Sequence, residues 1–232
     1  MDQFKKAAAE AAVTHVTDGM IVGLGTGSTA TFAIEALGKL VRNGLHIHGI
    51  PTSEETARQA SSLGIPLTTL AEHLDVDITI DGADEVELGT LDLIKGHGGA
   101  LLREKIVASA SARLLIIVDE SKLVDRLGSR FAVPVEVVPF GWQRVARRLE
   151  GLGARVSLRG SDVYSTFVTD SEHYILDCAF GPIASPLALN DELNQIVGLV
   201  EHGLFLGMTS EVLVGGPNGV RTLTVTGLAN GT

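Results

Sequence analysis

The chain has 232 residues, 45% of them apolar and 20% charged, which suits one large or two small globular domains and excludes a disordered chain. Eighteen Lys plus Arg against 28 Asp plus Glu leave a net charge of −10, a field that repels nucleic-acid phosphates. Aromatics, at 4%, are too scarce for a base-stacking platform, although a local basic pocket for a small anion stays compatible with the charge.

The predicted elements alternate from the start. Residues 2–16 are Ala-rich and helical; Lys5 and Lys6 precede the alanines, but Glu10 interrupts them, so the segment reads as an amphipathic helix and not a signal peptide. Residues 20–24 form a short buried strand closed by Gly25 and Gly27, and 29–41 are helical by period. A strand over 46–50 leads to a helix over 53–63 with Ser53 as its N-cap. In the strand 76–80, Val76, Ile78 and Ile80 alternate with polar residues. A helix over 100–112 and the strand 114–118 follow; that run is far short of the ~20 residues that span a bilayer. This βαβαβ rhythm predicts a parallel sheet covered by helices.

The rhythm then changes. Strands are expected over 133–138, 154–158, 164–168, 174–179 and 200–206, with helices over 142–152 and 186–196. That order is close to the βαββαβ of a ferredoxin-like unit with one extra hairpin strand. Strands over 211–214 and 220–225 flank a turn at 215–219 and are expected to rejoin the first sheet. The fold class is therefore α/β: a Rossmann-like core, 1–128 plus 205–232, with an inserted ferredoxin-like α+β domain, 129–204. A single cysteine, Cys178, excludes an internal disulfide or a multi-cysteine zinc site, as in a cytoplasmic protein.

Three segments carry chemistry. Gly25-Thr26-Gly27-Ser28-Thr29-Ala30 joins a strand to a helix; its N–H groups, the helix start and three hydroxyls suit a phosphate. It also reads as a tight turn with Ser/Thr caps, and Gly25-x-Gly27-x-x-Ala30 fits a relaxed dinucleotide pattern, although no acidic residue closes the next strand; no Lys follows for a Walker loop. Asp81-Gly82-Ala83-Asp84-Glu85 follows another strand. Its carboxylates suit acid and base roles, sugar hydroxyls or a cation, or else form an Asx turn and helix cap. Lys95-Gly96-His97-Gly98-Gly99 enters a helix on which Glu104 shares a face with Ala100, Leu101, Val107 and Ala108. A carboxylate there is a general base with raised pKa, or an edge residue paired with Arg103 or Lys105. Lys122, after a further strand end, reaches a ligand anion or sits in solvent. His46 and His48 share a strand face without a third ligand at metal-site spacing.

Together these segments resemble the A-type ribose-5-phosphate isomerase family. The matching pieces are Gly-Thr-Gly-Ser-Thr at 25–29, Thr-Ser-x-x-Thr at 52–56, Asp-Gly-Ala-Asp-Glu at 81–85, Lys-Gly-x-Gly-Gly-Ala at 95–100 and Arg-Glu-Lys at 103–105, with Pro-Val-Glu-Val-Val-Pro at 134–139. The resemblance implies cofactor-free interconversion of ribose 5-phosphate and ribulose 5-phosphate through an enediolate, and a dimer or tetramer. It implies Glu104 as general base; the chemistry of such a reaction adds Lys95 to balance the enediolate charge and Asp81 or Asp84 to exchange protons with sugar hydroxyls and assist ring opening, the sequence not dividing that task between the two. It implies substrate contacts from Thr26, Gly27, Ser28, Thr29, Asp81, Gly82, Ala83, Asp84, Lys95, Gly96, His97, Gly98, Lys122 and Lys5, and no metal. His97 departs from the family, which usually carries glycine there. The alternative is a sugar-phosphate sensor of the same broad fold; the chain has no extra length for the DNA-binding module such a regulator carries.

Overall fold

A computed structural model of the protein describes residues 1–160 and 165–225. In chain order its elements are α1 (Asp2–Ala12), β1 (Ile21–Leu24), α2 (Ser28–Arg42), β2 (His48–Pro51), α3 (Glu54–Ser62), β3 (Ile78–Asp81), β4 (Glu85–Glu87) and β5 (Leu93–Ile94). Then come α4 (Leu101–Ser109), β6 (Leu114–Asp119), β7 (Leu123–Val124), β8 (Val133–Val137), α5 (Trp142–Gly151), β9 (Arg155–Leu158) and β10 (Tyr174–Ala179). The last are α6 (Pro186–Asn194), β11 (Leu199–His202), β12 (Leu204–Phe205), β13 (Glu211–Gly216) and β14 (Gly219–Leu223). No described helix is long and apolar enough to cross a membrane.

The six-stranded sheet runs β14-β13-β6-β3-β1-β2 and is parallel except for the β13–β14 hairpin. Every residue of β3 and β6 is buried, as a sheet covered on both faces requires. On one face Ala8, Ala9 and Ala12 of α1 and Ala33, Ile34 and Leu37 of α2 pack on Leu24, Ile80, Leu115 and Ile117. On the other, Ile116, Val118 and Val212 meet Val86, Leu91, Leu93 and Phe205. The predicted N-terminal helix shortens: α1 ends at Ala12 and tightens into a 3-10 turn at Val13–His15. In β3 the alternation of apolar and polar residues does not mark an exposed face, because Thr79 and Asp81 are also buried.

A second sheet, β11-β8-β10-β9, is antiparallel throughout and takes α5 and α6 in the order βαββαβ. The extra hairpin strand expected at 164–168 begins outside the described residues; from 165 onward only single bridges form, Gly160 to Thr166 and Val168 to Tyr174.

The strand expected over 200–206 is two strands in two sheets. β11 pairs with β8, and β12 pairs with β5 in a small third sheet, β12-β5-β4-β7. Gly203 is the break. A Cβ there would lie 2.2 Å from the carbonyl oxygen of Lys95, whose N–H donates to Gly203 O at 2.9 Å. The two- and three-residue strands of the third sheet are too short to produce a period in the sequence.

Candidate active site

The main sheet reverses its winding between β1 and β3, where a crevice opens at the strand ends. The loop from Gly25 to Gly27 leaves β1, and the loop from Gly82 to Asp84 leaves β3 beside it. The two ends touch closely. A Cβ on Gly25 would stand 2.2 Å from Asp81 Oδ1, so only glycine fits there.

Asp81 is buried beneath the crevice. Its Oδ1 accepts the N–H groups of Thr26 at 3.2 Å and Gly82 at 2.7 Å, and its Oδ2 lies 3.0 Å from Lys95 Nζ. Lys95, itself buried, also donates to Gly82 O at 2.6 Å and to Glu104 Oε1 at 3.1 Å. Glu104 Oε2 is buried with no hydrogen-bond partner. One cation thus serves two buried carboxylates. Burial would lower the ammonium pKa, but Asp81 and Glu104 hold it above its ordinary value. Burial pushes the Glu104 carboxyl up to about 8; Lys95 opposes the rise and Asp81 adds to it. Burial also raises Asp81, against the pull of Lys95. Glu104 therefore has the environment of a base near neutral pH. It does not take the edge pairing: Arg103 binds Glu54 at 2.8 Å, and Lys105 binds Glu201 at 2.7 Å.

The remaining carboxylates of the acidic loop diverge. Asp84 Oδ2 accepts the His97 N–H at 3.0 Å and stands 3.6 Å from His97 Nδ1. Burial pushes the Asp84 pKa up, but the His97 hydrogen bonds outweigh it and hold the group below the usual range. Glu85 turns away and accepts the N–H groups of Gly128, Arg130 and Phe131 at 2.6, 2.6 and 2.8 Å. Asp81, Asp84 and Glu85 thus take separate partners, and no cluster of three or more His, Cys, Asp or Glu fit for a metal ion occurs among the described residues.

In the first loop, Thr26 Oγ1 bonds the hydroxyls of Thr52 at 2.8 Å, Ser53 at 2.9 Å and Thr56 at 3.3 Å. Its hydroxyl ties the loop to the start of α3. Ser28 Oγ accepts from Lys5 Nζ at 3.0 Å, which brings α1 to the same place. Gly27 occupies the N-cap of α2 and offers no side chain, so the first-turn N–H groups are left for an anion.

A family profile described as "Ribose 5-phosphate isomerase A (phosphoriboisomerase A)" matches residues 48–219. The chain belongs to this family. Relatives named ribose-5-phosphate isomerase A from Gloeobacter violaceus and Synechococcus sp. are 61% and 56% identical; the matches cover 97% and 96% of this chain and 97% of each relative. The ribose 5-phosphate isomerase A structure from Methanocaldococcus jannaschii is 45% identical with a TM-score of 0.91, covering 96% of this chain and 98% of that one. A D-ribose-5-phosphate isomerase solved in complex with phospho-erythronic acid is 38% identical with a TM-score of 0.92, at the same coverage.

In this isomerase-family fold, one cavity of about 240 Å³ is lined by Thr26, Gly27, Ser28, Thr29, Gly82, Ala83, Asp84, Lys95, Gly96, His97, Gly98, Glu104 and Lys122. Two of the residues read from the sequence are not in its lining but bond residues that are: Asp81 pairs with Lys95, and Lys5 donates to Ser28. Phe131 was not legible as part of the site. Its ring takes the His97 ring edge-on at 4.7 Å and lies 4.8 Å from Lys122 Nζ. Phe131 belongs to an aperiodic loop, and its N–H is held by Glu85, 46 positions earlier. Arg159 was missed too; a lone arginine after a strand carries no signal. His46 pairs with Asp18 at 3.1 Å and lies outside β2, so it does not share a strand face with His48.

Proposed function

We propose that this chain interconverts D-ribose 5-phosphate and D-ribulose 5-phosphate through an enediolate, without a cofactor. The observation that carries this reading is Glu104: a buried carboxylate with one oxygen held by Lys95 and the other unpartnered, in the wall of a polar cavity. Glu104 Oε2 takes the proton from carbon 2 of the open-chain aldose. The C–H electron pair forms the carbon 1–carbon 2 double bond, and the carbonyl electrons move onto the carbon 1 oxygen. Glu104 is then neutral, so the charge of Lys95, until then shared with it, stabilises the enediolate oxygen. The carbon 2 hydroxyl proton passes to the carbon 1 oxygen, and Glu104 returns its proton to carbon 1 as the carbon 2 carbonyl forms.

Asp84, on the cavity wall, exchanges protons with sugar hydroxyls and assists ring opening. Asp81 instead holds Lys95 in place. The phosphate lies at the start of α2, with Gly27, Ser28, Thr29 and Lys5, and Lys122 adds a second cation. Gly82, Ala83, Gly96, His97 and Gly98 line the sugar. The complex of a relative with phospho-erythronic acid supports a phosphosugar as ligand. The same reading makes the protein a cytoplasmic homodimer or homotetramer in the non-oxidative branch of the pentose phosphate pathway, with a core at 1–128 plus 205–232 and an inserted unit at 129–204.

The test is ribose 5-phosphate added to the purified protein, with ketose formation followed before and after chelator treatment. Ketose should form equally in both. Binding without ketose would leave a sensor, and loss on chelation with rescue by a divalent ion would overturn the metal-free step.

A further inference from the structure

Arg159 follows β9, in the second sheet, yet its guanidinium ends on the loop that carries Lys95. Nη1 donates to Gly96 O at 2.8 Å and to His97 O at 3.1 Å. The other edge of the fork is spent on Asp177 of β10: Nε donates to Oδ2 at 3.0 Å, and Nη2 donates to Oδ1. Phe167 adds a ring 5.9 Å from the guanidinium carbon, and its N–H donates to Arg159 O at 3.0 Å. Arg159 does not line the cavity.

The consequence follows from peptide planarity. In a trans peptide the C=O and the following N–H point in opposite directions, and no cis peptide occurs among the described residues. Gly96 O turns to Arg159, and the next N–H, that of His97, turns to Asp84 on the cavity wall. His97 O also turns to Arg159, so the N–H of Gly98, a residue of the cavity lining, is turned away from Arg159. Gly96 O also accepts the N–H of Gly99 at 3.0 Å, so the turn and Arg159 hold it together, and the guanidinium holds His97 O as well. The clamp also anchors the residue directly after Lys95, whose ammonium must stay within reach of Glu104.

We propose that Arg159, fixed by Asp177, is a positioning residue for the isomerisation: it orients the Gly96 and His97 peptides and thereby sets Lys95 and the loop N–H groups for the transition state. The second sheet thus contributes to turnover without touching substrate. This rests on the function proposed above.

Arg159→Lys keeps a cation over Phe167 but cannot hold both carbonyls and the carboxylate with one ammonium. We expect it to lower kcat at least about 10-fold, the scale of a small misplacement of a reacting group, with KM changed less than about 3-fold and the thermal midpoint near that of the parent. Asp177→Asn, which loosens the same fork, should shift kcat in the same direction, and the double variant should lose less than the product of the single losses. Wild-type kcat in Arg159→Lys overturns the inference. So does a loss confined to KM, or a kcat loss that appears only in proportion to unfolded protein. Parent protein that makes no ketose would instead overturn the function itself, so the two failures are distinguishable.

Discussion

Glu104 and Asp81 share the ammonium of Lys95, but their remaining oxygens differ. Asp81 Oδ1 accepts two backbone N–H groups, whereas Glu104 Oε2 has no partner. Glu104 is therefore the carboxylate better placed to take up a proton. Glu104→Gln should keep the fold and the affinity for sugar phosphate, and lose at least ~10²-fold in turnover, the scale of a positioned acid–base group. Near-wild-type turnover would reject the assignment. The pH dependence has a definite sign. Glu104 must be ionised to accept a proton, so kcat/KM should rise with pH through about 8 and flatten above it. Stability runs the other way. A carboxyl whose folded pKa lies above its ordinary 4.5 stabilises the fold below that value, and the contribution is lost as pH rises through about 8. Thermal melts should show the wild type losing ground to Glu104→Gln over that interval.

At the scale of elements, the start of α2 and the break between β11 and β12 each make a prediction. Gly27 leaves the first-turn N–H groups of α2 free of any side-chain cap, and Lys5 reaches Ser28 from α1. Free ribose should therefore be at least about 100-fold worse in kcat/KM than its 5-phosphate, the scale of two hydrogen bonds to a charged group, and inorganic phosphate should compete. Equal kcat/KM for the two sugars would remove the phosphate from α2. Gly203 packs its bare Cα against the carbonyl of Lys95. Gly203→Ala must push that carbonyl aside, at a cost of about 1–3 kcal/mol, and should lower kcat because Lys95 moves with it. Denaturant melts and steady-state kinetics read the two effects separately; wild-type values in both would show that the contact is soft.

For the whole molecule, mean hydropathy is +0.28 and some large apolar side chains stand free. Phe140, just before α5, is 95% exposed, and Val197, just after α6, is 96% exposed. Single exposed side chains are ordinary on a monomer, so the expectation of an oligomer rests on closed symmetric pairs being the commonest soluble assemblies. Sedimentation at micromolar concentration should show at least a dimer; a lone 24.3 kDa species would contradict this.

Much of the molecule is written in local pattern. The period of α2, the Ser53 cap of α3, the apolar run of β6 and the βαββαβ order of the second sheet all depend on neighbours a few residues apart, so they were legible. The Gly-rich and acidic loops were legible for the same reason: a strand end followed by glycines or carboxylates is a local signature. Contacts between distant segments were not. That Thr26 turns its hydroxyl to α3, that Asp81 sits under Lys95, that Glu85 seats Phe131 and that Arg159 grips Gly96 depend on packing between residues tens of positions apart. The break at Gly203 has the same origin, since it answers to the carbonyl of Lys95. The sequence by itself determined which groups are available and on which element each rides. Only the tertiary structure decided which carboxylate keeps a free oxygen, because that depends on how one buried ammonium and a few N–H groups are divided among acids distant in the chain.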